Sequence, residues 1–85
     1  MIIDDEYSQY EMFRIINKAD ADAIAAFEAE YEEAASPDAR NDRLEYWESQ
    51  AAYEKEHEES TEESVYSITY AEKMLECWKN RLYFG

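Results

Sequence analysis

The feature that most limits the fold is a shortage of turn-forming residues, because the 85-residue chain has one glycine, Gly85, and one proline, Pro37. Tight hairpin turns need the backbone freedom of glycine, so a chain with so few turn signals suits long helices and few connections. It also has no glycine-rich loop to hold a phosphate. We therefore predict an all-α fold: one domain spanning residues 1–85, built as a bundle of three to four helices.

Three positions carry the signals of a helix start. The Ser-Pro-Asp sequence at 36–38 combines an N-cap hydroxyl, a proline at the first helical position and an acidic first turn. Ser60 has the capping-box spacing to Glu63. Asp20 directly precedes an alanine-rich stretch. We expect a helix to begin at each of these three positions.

Apolar residues recur at helical spacing along three segments, which predicts one buried stripe on each. The predicted stripes are Ile24, Phe27, Tyr31 and Ala34 in segment 21–35, Leu44, Trp47 and Ala51 in segment 37–58, and Ile68, Ala71, Leu75, Trp78 and Leu82 in segment 61–83. Because both tryptophans lie on these stripes, we interpret them as core residues and not as platforms for stacking a ligand.

Two segments leave an alternative fold open. Residues 10–16 are rich in apolar side chains that suit either a buried helix or a short strand. Residues 64–70 contain β-favouring Val65, Tyr66 and Ile68, and their alternation also fits a strand. If both segments were strands they could pair, which would give a small α+β fold.

The charge balance restricts the partners. The chain has 22 acidic and 8 basic residues, a formal net charge of -14. Such a chain repels phosphate backbones and anionic lipids, and it has no apolar run long enough to span a membrane, so we expect neither direct nucleic-acid binding nor membrane binding. The expected partner is the basic surface of another protein. Because Ile, Leu and Val total only ten, the small core would also gain stability from self-association as a homodimer.

The residues that usually carry chemistry are scarce. Cys77 is the only cysteine and His57 the only histidine. Glu54 and His57 have the Glu-x-x-His spacing of di-iron bundles, but such a site needs a second copy. Asp20 and Asp22 lack the remaining calcium ligands of an EF-hand. We therefore expect no metal and no cofactor, and because the chain has no glycine-bearing loops to shape a substrate cleft, we expect no enzymatic activity.

One face of the segment 37–58 combines acidic and phenolic side chains. At about 100° per residue, its carboxylates lie nearly opposite the apolar stripe. Residues three or four apart on a helix are roughly 5–6 Å apart, which approaches the separation of neighbouring phosphates on one DNA strand, of order 6–7 Å. Glu28 and Glu32 repeat the spacing on another segment. The predicted partner-binding residues are Asp38, Asp42, Glu45, Glu56, Tyr46, Tyr53, Glu28 and Glu32.

In size and in its balance of residue types, the whole chain resembles small, acidic, aromatic-rich and cysteine-poor phage proteins that mimic DNA, such as anti-restriction and anti-CRISPR inhibitors. The resemblance implies a stoichiometric inhibitor that occupies the nucleic-acid groove of a host enzyme. Small acidic immunity proteins, which block cationic nuclease toxins, have a similar composition.

The alternative function is a small acidic helical subunit or regulator, held in a larger complex by apolar contacts. The first residues, Met1–Glu6, lack the basic start and long apolar stretch of a secretory signal. The expected location is therefore cytoplasmic, in the host cell if the chain is phage-encoded.

Overall fold

The fold is a bundle of three helices, which confirms the all-α prediction. A computed structural model describes the backbone of residues 2–84 and the side chains of residues 10–84. This part of the chain forms α1 (Ile2–Glu33), α2 (Pro37–Glu56) and α3 (Glu62–Phe84), without a strand. Because the connections at 34–36 and 57–61 are short, successive helices run antiparallel, and α1 runs parallel to α3.

The alternative α+β fold is wrong for both segments. Residues 10–16 lie within α1, and residues 64–70 lie within α3. In α3 the helical spacing places Tyr66 and Tyr70 one turn apart, and their rings stack with centroids 5.9 Å apart. It also places Ala71 and Met74 in the core. Burial at helical spacing therefore outweighs the strand propensity of the β-branched residues.

The start of α2 is confirmed, and the start of α3 differs by one residue. The Ser36 hydroxyl accepts a hydrogen bond from the Ala39 backbone N–H at 3.2 Å, and Pro37 begins the helix. At α3 the cap is Thr61 and not Ser60, because the Thr61 hydroxyl accepts from the Ser64 backbone N–H at 3.1 Å. Adjacent hydroxyl residues are chemically equivalent as caps, so only the path of the connection decides between them.

The predicted helix start at Asp20 is also wrong. Asp20 lies inside α1, which continues without interruption from Ile2 to Glu33. An Asp can cap a helix only where the preceding residues leave the helical conformation, and no glycine or proline interrupts this stretch. Ala19 and Ala23, one on each side of Asp20, are fully buried, so the same helix face packs before and after it.

The core combines alanines with a few aromatic rings. Its buried members are Ala23, Phe27, Ala34, Leu44, Trp47, Ala51, Ala71, Met74 and Trp78. Trp78 is fully buried, with the Phe27 ring edge-on at 5.0 Å and the Tyr31 ring at 5.9 Å. The small alanines let the helices approach closely, and the rings fill the space between them. The interpretation of both tryptophans as core residues is confirmed.

The predicted stripes are accurate on α2 and incomplete on the other two helices. Leu44, Trp47 and Ala51 are the buried residues of α2, as predicted. On α1, Ile24 is 45% exposed, so its assignment to the core is wrong. On α3, the fully buried Met74 lies outside the predicted stripe. Because α3 packs against both other helices, its buried face is wider than a single stripe.

Candidate functional site

The outward side of α2 carries an acidic face, which we define as Asp38, Asp42, Glu45, Glu56, Tyr46 and Tyr53. All six side chains are exposed, whereas the opposite side of the helix is buried in the core. With a rise of 1.5 Å per residue, the carboxylates extend over about 27 Å of the helix axis, and Asp38 is about 6 Å from Asp42 along it. The structure therefore brings these six predicted residues together on one exposed surface.

The carboxylates of this face form no ion pair within the part of the chain whose side chains are described. Among the side chains of residues 10–84, no basic nitrogen lies within 4.0 Å of any of the four. The basic residues of α2 contact groups outside α2. Arg40 donates to the Ala34 carbonyl oxygen at 2.7 Å, Arg43 pairs with Glu30 at 3.4 Å, and Lys55 pairs with Glu72 at 3.8 Å.

The two tyrosines of the acidic face are exposed but supported on one side. Tyr46 is 54% exposed and Tyr53 is 55% exposed. The Tyr46 ring meets the buried Trp47 ring edge-on at 4.9 Å, and the Tyr53 ring stacks on His57 at 4.1 Å. An exposed ring that is already positioned loses little conformational entropy when a partner covers it.

Glu28 and Glu32 are exposed on α1 and do not belong to the acidic face. Glu28 pairs with Arg81 of α3 at 3.4 Å. The Arg81 guanidinium also lies over the rings of Phe27 and Tyr31, at 5.3 and 4.7 Å from their centroids. Glu28 therefore helps to hold α1 against α3, whereas Glu32 forms no ion pair with the side chains of residues 10–84.

A second surface feature borders the acidic face and was not predicted from the sequence. We call it the tyrosine groove. It has a volume of about 420 Å³ between α2 and α3, and its walls include Tyr46, Trp47, Gln50, Glu54, Tyr66 and Tyr70. The only sequence signal was the i, i+4 spacing of Tyr66 and Tyr70, because the residues from α2 reach the groove only through tertiary packing.

The tyrosines that α3 contributes to the groove are held as neutral phenols. The Tyr66 hydroxyl donates to the Asp22 carboxylate at 2.5 Å. This hydrogen bond is the main reason that the pKa of Tyr66 is raised to about 12 and that the pKa of Asp22 is lowered. Burial raises the pKa of Tyr70, and the nearby carboxylates of Glu30 and Asp22 add to the effect.

The candidates for bond-making chemistry are separate from one another. His57 is exposed at the end of α2, and its Nδ1 lies 2.8 Å from the Tyr53 carbonyl oxygen. Cys77 is half-buried on α3, and burial is the main cause that raises the pKa of its thiol. A raised pKa disfavours the reactive thiolate at neutral pH. Among the described side chains, no three potential ligands converge to form a metal site.

Comparisons with known proteins identify no relative. No family model matches the chain, and no curated protein or solved structure matches it significantly. Within the described residues, no helix combines the length and the apolar character needed to cross a membrane.

Proposed function

We propose that this protein is a non-enzymatic inhibitor that binds the cationic groove of a nucleic-acid-binding protein or nuclease complex as a nucleic-acid mimic. The observation that carries the proposal is the acidic face of α2. Its four carboxylates are exposed along about 27 Å of a helix and form no ion pair with the side chains of residues 10–84. The proposed function is the one carried out by anti-restriction and anti-CRISPR DNA mimics.

Rigid spacing is what would make the mimicry effective. Residues one helical turn apart, such as Asp38 and Asp42, present charges at about the interval of a nucleic-acid backbone. The helix holds them before binding, so little entropy is lost in ordering them. A groove built to bind phosphates would attract this face over a Debye length of about 8 Å at physiological salt.

The tyrosines would contribute affinity that charge alone does not supply. Exposed carboxylates mainly raise the association rate and suppress wrong partners. Tyrosines and tryptophans dominate the residues whose removal weakens protein interfaces most. Tyr46 and Tyr53 lie beside the carboxylates, so a partner that covers the acidic face would desolvate both rings.

The test is a competition experiment with a charge-matched control. The protein is immobilised, and proteins from a host lysate that also bind double-stranded DNA are applied at 50 mM NaCl. The charge-reversed variant carries Asp38→Lys, Asp42→Lys and Glu45→Lys. The control carries Glu33→Lys, Glu48→Lys and Glu63→Lys, which change the net charge equally at exposed positions on three different helices.

The expected result is that the parent and the control retain a protein that DNA displaces and that a salt step elutes. The charge-reversed variant should lose the complex, because the steering field contributes about 10- to 1000-fold to the association rate. If the charge-reversed variant retains its partner as well as the control does, the acidic face is not the binding site.

The second candidate is an assembly subunit or regulator held by apolar contacts. It is favoured by large apolar side chains that are exposed at the two ends of the described chain. Tyr10 and Phe13 of α1 and Tyr83 of α3 are each 64% exposed, and Phe84 is 84% exposed. A complex held by these residues should survive 1 M NaCl, where the Debye length of about 3 Å screens surface charge. A complex held by the acidic face should dissociate.

A further inference from the structure

The tyrosine groove places aromatic rings beside a carboxylate. Four aromatic rings from α2 and α3 line it, and the carboxylate of Glu54 is half-buried beside them. The Tyr66 and Tyr70 rings stack at an interplanar angle of 28°, and the Trp47 and Tyr70 centroids lie 5.9 Å apart. Aromatic faces carry a negative quadrupole that attracts cations.

Elsewhere in this protein, the guanidinium groups of its own arginines pack against aromatic rings. The Arg40 guanidinium lies 4.0 Å from the centroid of the Tyr31 ring, and Arg81 lies 4.7 Å from the same centroid. Arg81 is also paired with the carboxylate of Glu28 at 3.4 Å. Within the described residues, the Arg81 site therefore combines a guanidinium, aromatic rings and a carboxylate, whereas the Arg40 guanidinium has a ring and the Ala34 carbonyl oxygen.

The tyrosine groove has two of these three components. It presents aromatic rings and a carboxylate, but no Lys or Arg among the described side chains lies over its rings. One oxygen of Glu54 accepts from Gln50 Nε2 at 3.3 Å. The other has no hydrogen-bond partner among the described residues.

We propose that the tyrosine groove binds an arginine side chain of the partner protein. That this partner is basic rests on the proposed function. The guanidinium stacks on the ring faces and donates to the Glu54 carboxylate. Arginine suits this site better than lysine. Its planar guanidinium stacks on rings, forms bidentate hydrogen bonds with carboxylates and is more weakly hydrated than an ammonium. Since Tyr46 belongs both to the groove and to the acidic face, one arginine would fix the register of the whole interface.

The test uses short peptides, so it does not require the natural partner. The probes are Ac-Gly-Arg-Gly-NH2, its lysine counterpart and its uncharged citrulline counterpart, titrated into the intact protein at 150 mM NaCl. Binding is followed by NMR signals of the aromatic side chains, with the indole N–H of Trp47 reporting on the groove and that of Trp78 on the core. General attraction to the net charge acts equally on arginine and lysine, so the difference between them reports the stacking and the forked hydrogen bonding of the guanidinium.

The expected result is that the arginine peptide shifts the signals of Tyr46, Trp47, Tyr66 and Tyr70 and binds about two- to fivefold more tightly than the lysine peptide. The citrulline peptide should not bind measurably. Tyr46→Leu should weaken arginine binding by about two- to fivefold. The control Tyr83→Leu replaces an exposed tyrosine of α3 that lies outside both the groove and the acidic face, and it should leave arginine binding unchanged.

A second pair of variants tests the carboxylate. Glu54→Gln should weaken arginine binding, whereas Glu48→Gln, which removes a charge of α2 outside the groove, should not. The proposal is overturned if arginine and lysine bind equally, or if the peptide shifts only signals near Asp38 and Asp42. Either failure would leave the charge-reversal result for the acidic face unaffected. Conversely, arginine binding at the groove could persist in a protein that inhibits no nucleic-acid-binding partner, so the two proposals fail separately.

Discussion

Acidic residues occupy two contrasting settings in this molecule. Between the helices they are paired: Glu30 accepts from the Trp47 indole N–H at 3.1 Å and pairs with Arg43, and Glu28 pairs with Arg81. On the acidic face of α2 they are exposed and form no ion pair within the described part of the chain. The same chemical group therefore stabilises the bundle in one region and produces an external negative field in the other.

The difference shows that the placement of the few basic residues matters more than the number of acidic ones. Arg40, Arg43 and Arg81 all lie between helices, where each contacts a carboxylate, a carbonyl oxygen or an aromatic ring. These contacts join the helices and leave the outward side of α2 without compensation. In a chain of net charge -14, these contacts offset part of the self-repulsion at the places where the helices meet.

The largest effect on stability should come from the core that both settings depend on. Trp78→Ala should lower the free energy of unfolding by about 3–5 kcal/mol, because it removes a fully buried ring between Phe27 and Tyr31. This approaches the whole stability of a small domain, so the variant should be largely unfolded. The measurement is urea denaturation followed by circular dichroism. Tyr83→Ala, an exposed aromatic on the same helix, is the control and should cost little.

The next largest effect on stability should come from a paired acidic residue between the helices. Glu30→Ala should cost about 1.5–3 kcal/mol, because it removes a charged acceptor and leaves the Trp47 indole N–H without its partner. The control is Glu32→Ala on the same helix, which is exposed and should change the stability by less than about 0.5 kcal/mol. Equal effects of the two substitutions, measured by urea denaturation, would remove the distinction between paired and unpaired acids.

A smaller effect should come from the cap that begins the acidic helix. Ser36→Ala should lower the stability by about 1 kcal/mol, because the Ala39 backbone N–H loses its acceptor. Ser49→Ala, at an exposed position in the middle of the same helix, should be neutral or slightly stabilising. Thermal unfolding of the two variants compares them directly. A loss at Ser49 as large as that at Ser36 would show that the cap is not what stabilises the start of α2.

The hydrogen bond between Tyr66 and Asp22 predicts a dependence on pH. The pKa of Tyr66 is raised from 10 to about 12. The Tyr66 phenol therefore contributes to the free energy of unfolding below pH 10, and this contribution is lost as the pH rises to 12. The pKa of Asp22 is lowered from 3.8. The Asp22 carboxylate therefore contributes to the free energy of unfolding above pH 3.8, and this contribution is lost as the pH falls through the lowered pKa.

Tyr66→Phe should therefore be less stable than the parent at neutral pH, and the difference should shrink both above pH 10 and below pH 3.8. Melting temperatures at pH 3, 7 and 11 measure the effect. Tyr10→Phe, at an exposed tyrosine, is the control and should follow the parent at every pH. A difference that stayed constant with pH would mean that the phenol acts by packing alone.

The smallest effect on stability is expected on the acidic face itself. The combined change Asp38→Asn, Asp42→Asn and Glu45→Gln should alter the free energy of unfolding by no more than about 0.5 kcal/mol. Relief of repulsion should offset the loss of a favourable Asp38 charge at the start of the helix. The same variant should associate with its partner at least about tenfold more slowly. Stopped-flow association and urea denaturation together decide whether this face serves binding and not folding.

Local pattern was enough to define α2. The cap at Ser36, the buried stripe of Leu44, Trp47 and Ala51, and the exposure of the opposite acidic side all depend on residues close together in the sequence. A helix of regular period that packs with one side determines which side chains remain outside. For this reason the acidic face was correctly located from the sequence alone, while its role as a binding site stays a prediction.

Tertiary structure decided the features that depend on contacts between residues far apart in the sequence. The continuity of α1 through Asp20, the burial of Met74, and the meeting of Tyr46 with Tyr66 in one groove depend on which helices pack together. The sequence determined the charge of this protein and the face of α2 that carries it, because both follow from composition and helical period. Only the packed bundle decided which carboxylates pair across helices, as Glu28, Glu30 and Glu72 do, because such pairs depend on distances between helices that no local pattern specifies.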